Sequence, residues 1–191
     1  MKKILLITLL LSNFLYAEIY QVNNTKSYIG FGVKNMLLPY TVGQFTKYSG
    51  SFTYDEEHNY FLSLDGAVKV ASVSTESEDR DEHLRSDDFF GVVQYPDMTL
   101  RLIRQHKENS LMVNLTIRGI TKPVIFTIHE MFHGEADSKG TIARNFILKA
   151  SINRQDFNVT HNNFFGIGEK MIEDIVDIKL IIVGVHKTSF D

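Results

Sequence analysis

With 191 residues, 43% of them hydrophobic and 23% charged, the chain is long enough for one domain with a substantial core. It has no cysteine, which excludes disulfides and thiolate chemistry and suits an oxidising compartment. Its formal net charge of −3 lacks the basic footprint of a nucleic-acid binder.

Residues 1–17, MKKILLITLLLSNFLYA, combine two lysines, an apolar run from Ile4 to Leu11 and a small residue at Ala17, the pattern of a secretory signal peptide. The run is too short to span a bilayer permanently. The expectation is export to the periplasm or beyond the cell. Residues 18–191 then form a single domain, whose charge becomes −5 once Lys2 and Lys3 leave. No linker-like tract and no fixed-period repeat divides it.

Along that domain, alternation of apolar and polar residues is the main local signal. It runs through Ile29–Phe31–Val33, Phe52–Tyr54, Met98–Leu100–Leu102, Leu111–Val113–Leu115–Ile117, Val124–Phe126–Ile128 and Val176–Ile178–Leu180–Ile182. Each segment reads as a strand with one dry face. RGITKP, with Gly119 and Pro123 at its edges, reads as a hairpin connection. Such strands form an antiparallel sheet whose apolar faces close on each other, as a barrel or as a sandwich.

Between the second and third of these segments lies RDEHLRSDDFF, Arg80 to Phe90. Upstream, Thr75 and Glu78 have the form of a capping box. Glu76, Glu78 and Asp79 crowd the first turn, and Arg85 stands near the end. The pattern predicts one short helix near residues 76–87. On it, Asp81 is placed to pair with Arg85, and His83 with Asp87. Pro96 biases Tyr95 toward extended backbone and ends the helical region.

The charge of this helix raises two chemical possibilities. A zinc site needs three or four ligands, and the helix supplies a single histidine, so neither metal nor cofactor is read here. Nothing in the spacing of His129, His133 and His161 brings them together. Ser86 lies near His83, yet no Gly-x-Ser-x-Gly elbow surrounds it, so no catalytic residue is assigned. Phe89 and Phe90 then enter the apolar interior, as core anchors or as ligand contacts. Arg154 and Asp156, in INRQDF, read as a structural pair within the sheet. Asn23, Asn114 and Asn158 begin Asn-x-Ser/Thr triplets, but they lie in or beside predicted strands and are not read as glycosylated.

Four ordered segments carry a family resemblance: SYIGFGVKNM with VGQF, then ASVSTESEDRDEHLRSDDFFGVVQYPDM, LTIRGITKPV and ASINRQDFNV. The second is the most specific, with its Arg-Asp-x-His-Leu, Asp-Phe-Phe and Tyr-Pro elements. The sequence resembles the YceI-like family of exported polyisoprenoid- and lipid-binding proteins. That resemblance implies an all-β fold, a lipocalin-like, extended, eight-stranded antiparallel barrel with a helix near one end and a pore for a long-chain amphiphile. The sequence departs from the family at Asn35, where histidine is frequent, and at His161, where an aromatic is frequent.

Alternation and resemblance together assign Phe31, Val33, Phe45, Leu100, Leu115, Ile117, Phe126, Ile128, Ile178 and Leu180 to the pore wall, joined by Phe89 and Phe90. A headgroup is expected near Asn35, His83 and Arg85. The expected function is a non-enzymatic carrier or reservoir for an isoprenoid quinone, an isoprenoid phosphate or a fatty-acid derivative. A homodimer and transient membrane contact are compatible with the resemblance. The competing class is a metal-assisted hydrolase using His83 with Asp81 or Asp87.

Overall fold

A computed structural model of the chain describes residues 18–35, 40–106, 109–134, 141–162, 164–165 and 169–187; the segment read as a signal peptide lies outside the described residues. The strands are β1 (Glu18–Val22), β2 (Tyr28–Asn35), β3 (Thr41–Phe45), β4 (Tyr48–Asp55), β5 (Tyr60–Lys69), β6 (Val73–Ser74), β7 (Asp97–Gln105), β8 (Ser110–Ile117), β9 (Ile120–His133), β10 (Thr141–Asn153), β11 (Phe164–Phe165), β12 (Glu169–Lys170) and β13 (Ile172–Lys187). Helix α1 (Glu78–Arg85) stands between β6 and β7.

Hydrogen bonding runs in the order β1-β4-β5-β7-β8-β9-β10-β13, and β13 pairs back onto β1, closing an eight-stranded antiparallel barrel. β2 continues the course of β1 along β13, and β3 continues that of β4: β13 meets β1 at Gly184–Val185 and β2 from Ile172 to Ile181. Closure removes the edges that an open sandwich would leave. The barrel therefore decides between the two architectures that periodicity left open.

The alternating segments fold as expected. Leu111, Val113, Leu115 and Ile117 all point inward and are buried. The hairpin β8–β9 turns on two residues, Arg118 and Gly119, with φ of 49° and 72° and Ile117 facing Ile120, so the connection is shorter than RGITKP and Ile120 to Pro123 already pair within β9. Two positive φ values are what a type I′ turn needs, and glycine tolerates the second without strain.

The helix is shorter than predicted and differently capped. Glu76 has a φ of 63°, outside helical backbone, so the helix begins only after Ser77, whose side chain makes no capping bond. Thr75 is instead bound by Asp81, 4% exposed, whose Oδ1 accepts from Thr75 N at 2.8 Å and from its hydroxyl at 2.5 Å. Asp81 is thus committed to the loop before the helix. Arg85 turns to Glu78 at 2.6 Å, and His83 Nε2 lies 3.2 Å from Asp88 Oδ2. Those pairings replace Asp81–Arg85 and His83–Asp87.

Away from the helix, the interior is filled by aromatic rings. Tyr20 stacks on Phe52 at 5.0 Å, Phe146 meets Phe52 and Phe61 edge-on at 5.0 and 4.9 Å, and Tyr54 meets Phe61 at 4.9 Å. Leu111, Val113 and Leu148 pack into the same cluster without exposed surface. A Cβ on Gly184 would enter the ring of Phe52, so this strand position has room only for glycine. Arg144 covers the rings, pairing with Glu56 and lying over Tyr54.

Candidate functional site

Above the aromatic cluster the barrel holds a cavity with almost wholly apolar walls. Its volume is about 200 Å³. Leu64, Phe126, Leu148, Leu180 and Ile182 form its floor, which is also the upper layer of the aromatic cluster. Toward the helix, Phe31, Phe45 and Phe90 stand around it with ring centres 5.8 to 6.4 Å apart. Phe31 lies over Gly43, where a Cβ would collide with the ring.

The emptiness has a local cause. Gly50 on β4 faces Gly66 on β5, and by alternation with Phe52, Leu64 and Val68 both belong to the inward side. A Cβ on Gly66 would find nothing closer than Ser49 O at 3.8 Å. At Gly50 a Cβ would meet Asp65 O at 2.7 Å and Val22 at 3.2 Å, so glycine there serves close strand approach, and Gly66 is the position that leaves room in this layer.

A second space, of about 190 Å³, adjoins the first at the helix end and shares Phe31, Val33, Leu84, Phe89 and Ile172 with it. Here polar side chains, Asn35, Thr41, Thr75, Arg80, His83 and His161, join a lining that stays mostly apolar. The rings of His83 and His161 meet at 4.9 Å, and Phe89 touches each at 5.0 Å. Among the described residues, Thr41 Oγ1 and His161 Nε2 are buried with no hydrogen-bond partner.

Two arginines hold this mouth. Arg154, 5% exposed, donates to the carbonyls of Val159 at 2.7 Å, His161 at 2.8 Å and Glu173 at 3.1 Å, and reaches Asp174 at 3.3 Å. Burial lowers its pKa, and the Asp174 carboxylate opposes that shift. Asp174, not Asp156, is its partner. Arg118 likewise donates to the carbonyls of Asp87 and Phe89, which fixes the turn after the helix.

Of the residues assigned to the pore from sequence, Phe31, Val33, Phe45, Phe89, Phe90, Leu100, Leu115, Ile117, Phe126, Ile178 and Leu180 line the cavity. Asn35 and His83 line the mouth. Two stand elsewhere: Ile128 packs against the aromatic cluster below the floor, and Arg85 is held by Glu78. Ser86 Oγ donates to the backbone carbonyl of His83 at 2.7 Å, so it is not arranged against the imidazole as a nucleophile would be.

Sequence reasoning missed Leu84, Ile152, Phe157 and Val159 on the wall and His161 at the mouth. Alternation of Phe146, Leu148, Ala150 and Ile152 was the available signal for β10. The segment that carries Phe157, Val159 and His161 passes through a 3₁₀ turn and has no periodic pattern.

Comparison with known proteins agrees with this architecture. A YceI-like domain matches residues 20–183. The UPF0312 protein plu2095 of Photorhabdus laumondii is 32% identical over 164 residues, covering 84% of this chain and 82% of that protein. Among solved structures, BcnA of Burkholderia cenocepacia superposes with a TM-score of 0.67 at 24% identity, over 85% of this chain and 98% of that one. A polyisoprenoid binding domain from Saccharophagus degradans superposes with a TM-score of 0.60 at 13% identity, over 88% and 98% of the two chains. With the family domain matching nearly the whole barrel, the chain belongs to the YceI-like domain family.

Proposed function

We propose that this protein is an exported, non-enzymatic binding protein that holds a long-chain amphiphile in its barrel for transport, storage or sequestration. The carrying observation is the apolar cavity, floored by aromatic and aliphatic side chains at one end and opening at the other onto the mouth at His83 and Asn35. A hydrocarbon chain gains about 0.8 kcal/mol per buried methylene, so such walls retain it without any strong polar contact. An isoprenoid quinone, an isoprenoid phosphate and a fatty-acid derivative share this design of apolar tail and polar head. The fold shared with a polyisoprenoid binding domain supports the same class of ligand. Export rests on the pattern of residues 1–17, and transient membrane contact or a homodimer fits a carrier that exchanges lipid.

The test is identification of the ligand. Protein purified without detergent is analysed by native mass spectrometry and by organic extraction. A long-chain amphiphile is expected at near-stoichiometric amount. Bare chain from several expression hosts removes the main support for the proposal.

A further inference from the structure

We propose that His83, Asp88 and His161 form a divalent transition-metal site at the mouth of the barrel, and that the bound ion anchors an anionic headgroup; the headgroup half rests on the pore reading above. The three residues come from the helix, from the turn after it and from the segment following the 3₁₀ turn of residues 154–157. One donor atom from each lies within 4.8 Å of the others. Asp88 Oδ2 is 3.2 Å from His83 Nε2 and 3.7 Å from His161 Nδ1. Tetrahedral zinc, with bonds of about 2.0–2.1 Å, sets its donors roughly 3.3 Å apart, so small side-chain shifts complete the geometry.

The donor chemistry fits. Two imidazoles and a carboxylate suit zinc, nickel, cobalt or ferrous iron, and three protein ligands leave a coordination position open. An exposed His–Asp pair on a helix is an ordinary surface feature. Arrival of a second imidazole from a distant segment is not. His161 turns its Nδ1 toward Asp88, at 3.7 Å, which is the nitrogen the site would use.

The site is held from both sides. Arg154 fixes the backbone of His161, Arg118 fixes the carbonyls flanking Asp88, and Phe89 packs against both imidazoles while lining the cavity. Two neutral imidazoles and one carboxylate leave a bound dication with a net positive charge. The open position therefore favours phosphate or carboxylate over a hydroxyl. Along the chain the helix shows a single histidine, and no spacing in the sequence points to His161 beside it.

The experiment uses the untagged, delipidated protein. Titration with zinc is expected to show a single equivalent bound, and cobalt to give the visible bands of a low-coordinate histidine site. His83→Ala, Asp88→Asn and His161→Phe should each weaken zinc binding by about tenfold or more. His83 and Asp88 are exposed, so their variants should keep the metal-free unfolding midpoint; if His161→Phe does not fold, the double variant of the other two carries the test. Zinc binding no tighter in the wild type than in that double variant overturns the metal site.

Farnesyl phosphate and farnesol then test the headgroup half. Zinc is expected to tighten binding of the phosphate severalfold and leave the alcohol unchanged. An equal effect on both probes, or none, overturns this half while the ion site stands. Failure of both probes to bind, with or without zinc, strikes the pore reading instead.

Discussion

The two ends of the barrel both carry phenylalanines, yet one is solid and the other hollow. At the solid end, Phe52, Phe61 and Phe146 approach to 4.9–5.8 Å, and Tyr20 and Tyr54 fill what they leave. At the hollow end, Phe31, Phe45 and Phe90 stand 5.8–6.4 Å apart and surround the opening instead of crossing it. Ring count alone does not decide between these outcomes. The inward positions beside the rings do: large side chains complete one layer, whereas Gly66, facing Gly50, leaves the other incomplete. A barrel of fixed circumference thus gains room by omission at Gly66, while Gly50 lets the two strands approach closely.

The contrast is most strongly broken by removing a ring from the solid end. Phe52→Ala, at a residue 1% exposed, should cost about 3–5 kcal/mol in urea unfolding, because the neighbouring rings cannot collapse into the space. A loss well under that range would mean that the solid end is loosely packed. One substitution made at both ends then separates them directly. Val113→Phe, at a residue with no exposed surface in the aromatic cluster, should cost about 1–3 kcal/mol, as overpacking does. Val33→Phe, on the cavity wall, should leave the midpoint of delipidated protein nearly unchanged and lower lipid occupancy severalfold. Delipidated protein is required because bound lipid raises apparent stability by mass action. Equal costs at both positions would make the interior uniform and refute the contrast.

Filling the omission itself is a gentler change. Gly66→Val adds bulk where a Cβ makes only an ordinary contact with Ser49 O and restricts the unfolded chain, so apo stability should stay level or rise by under about 1 kcal/mol while lipid occupancy falls. Retained lipid would place the bound chain away from β5. The smallest effect belongs to the exposed pair Asp55–His58 in the turn at the solid end, 2.8 Å apart. Hydrogen bonding to His58 lowers the Asp55 pKa, so its contribution is present above about pH 3.9 and is lost as pH falls through the lower folded value. Hydrogen bonding to Asp55 raises the His58 pKa, so its contribution is full below about pH 6.5 and is lost as pH rises through the higher folded value. Stability of wild type over His58→Gln should therefore peak between those limits, and a difference independent of pH would exclude the pair as its source.

Much of the fold was legible because alternation reports which face a residue occupies. It assigned Leu111 to Ile117 correctly along a whole strand, and the Arg118–Gly119 turn marked itself by its glycine. Alternation does not report height along the barrel. Ile128 shares a face with Phe126 but lies below the floor of the cavity, since β9 extends well past it. The facing of Gly50 and Gly66 is a matter of cross-strand register, invisible in either segment alone. The helix was recognisable by its acidic start, but its length was not, because Glu76 adopts a left-handed backbone that the capping pattern does not reveal. His161 sits in a segment with no period, so only the folded chain shows it beside His83.

The aromatic stopper also has a consequence for traffic. If the barrel is the carrier proposed above and is stopped at one end, as it is among the described residues, a resident molecule and its successor would use the other end in turn. Exchange would then be sequential, with its rate set at the mouth and not along the walls. The mouth lies between the helix, the turn after it and the segment that Arg154 holds, which are joined to the barrel by side chains more than by strand pairing. A membrane or an acceptor protein that presses on those parts would act on release without deforming the barrel.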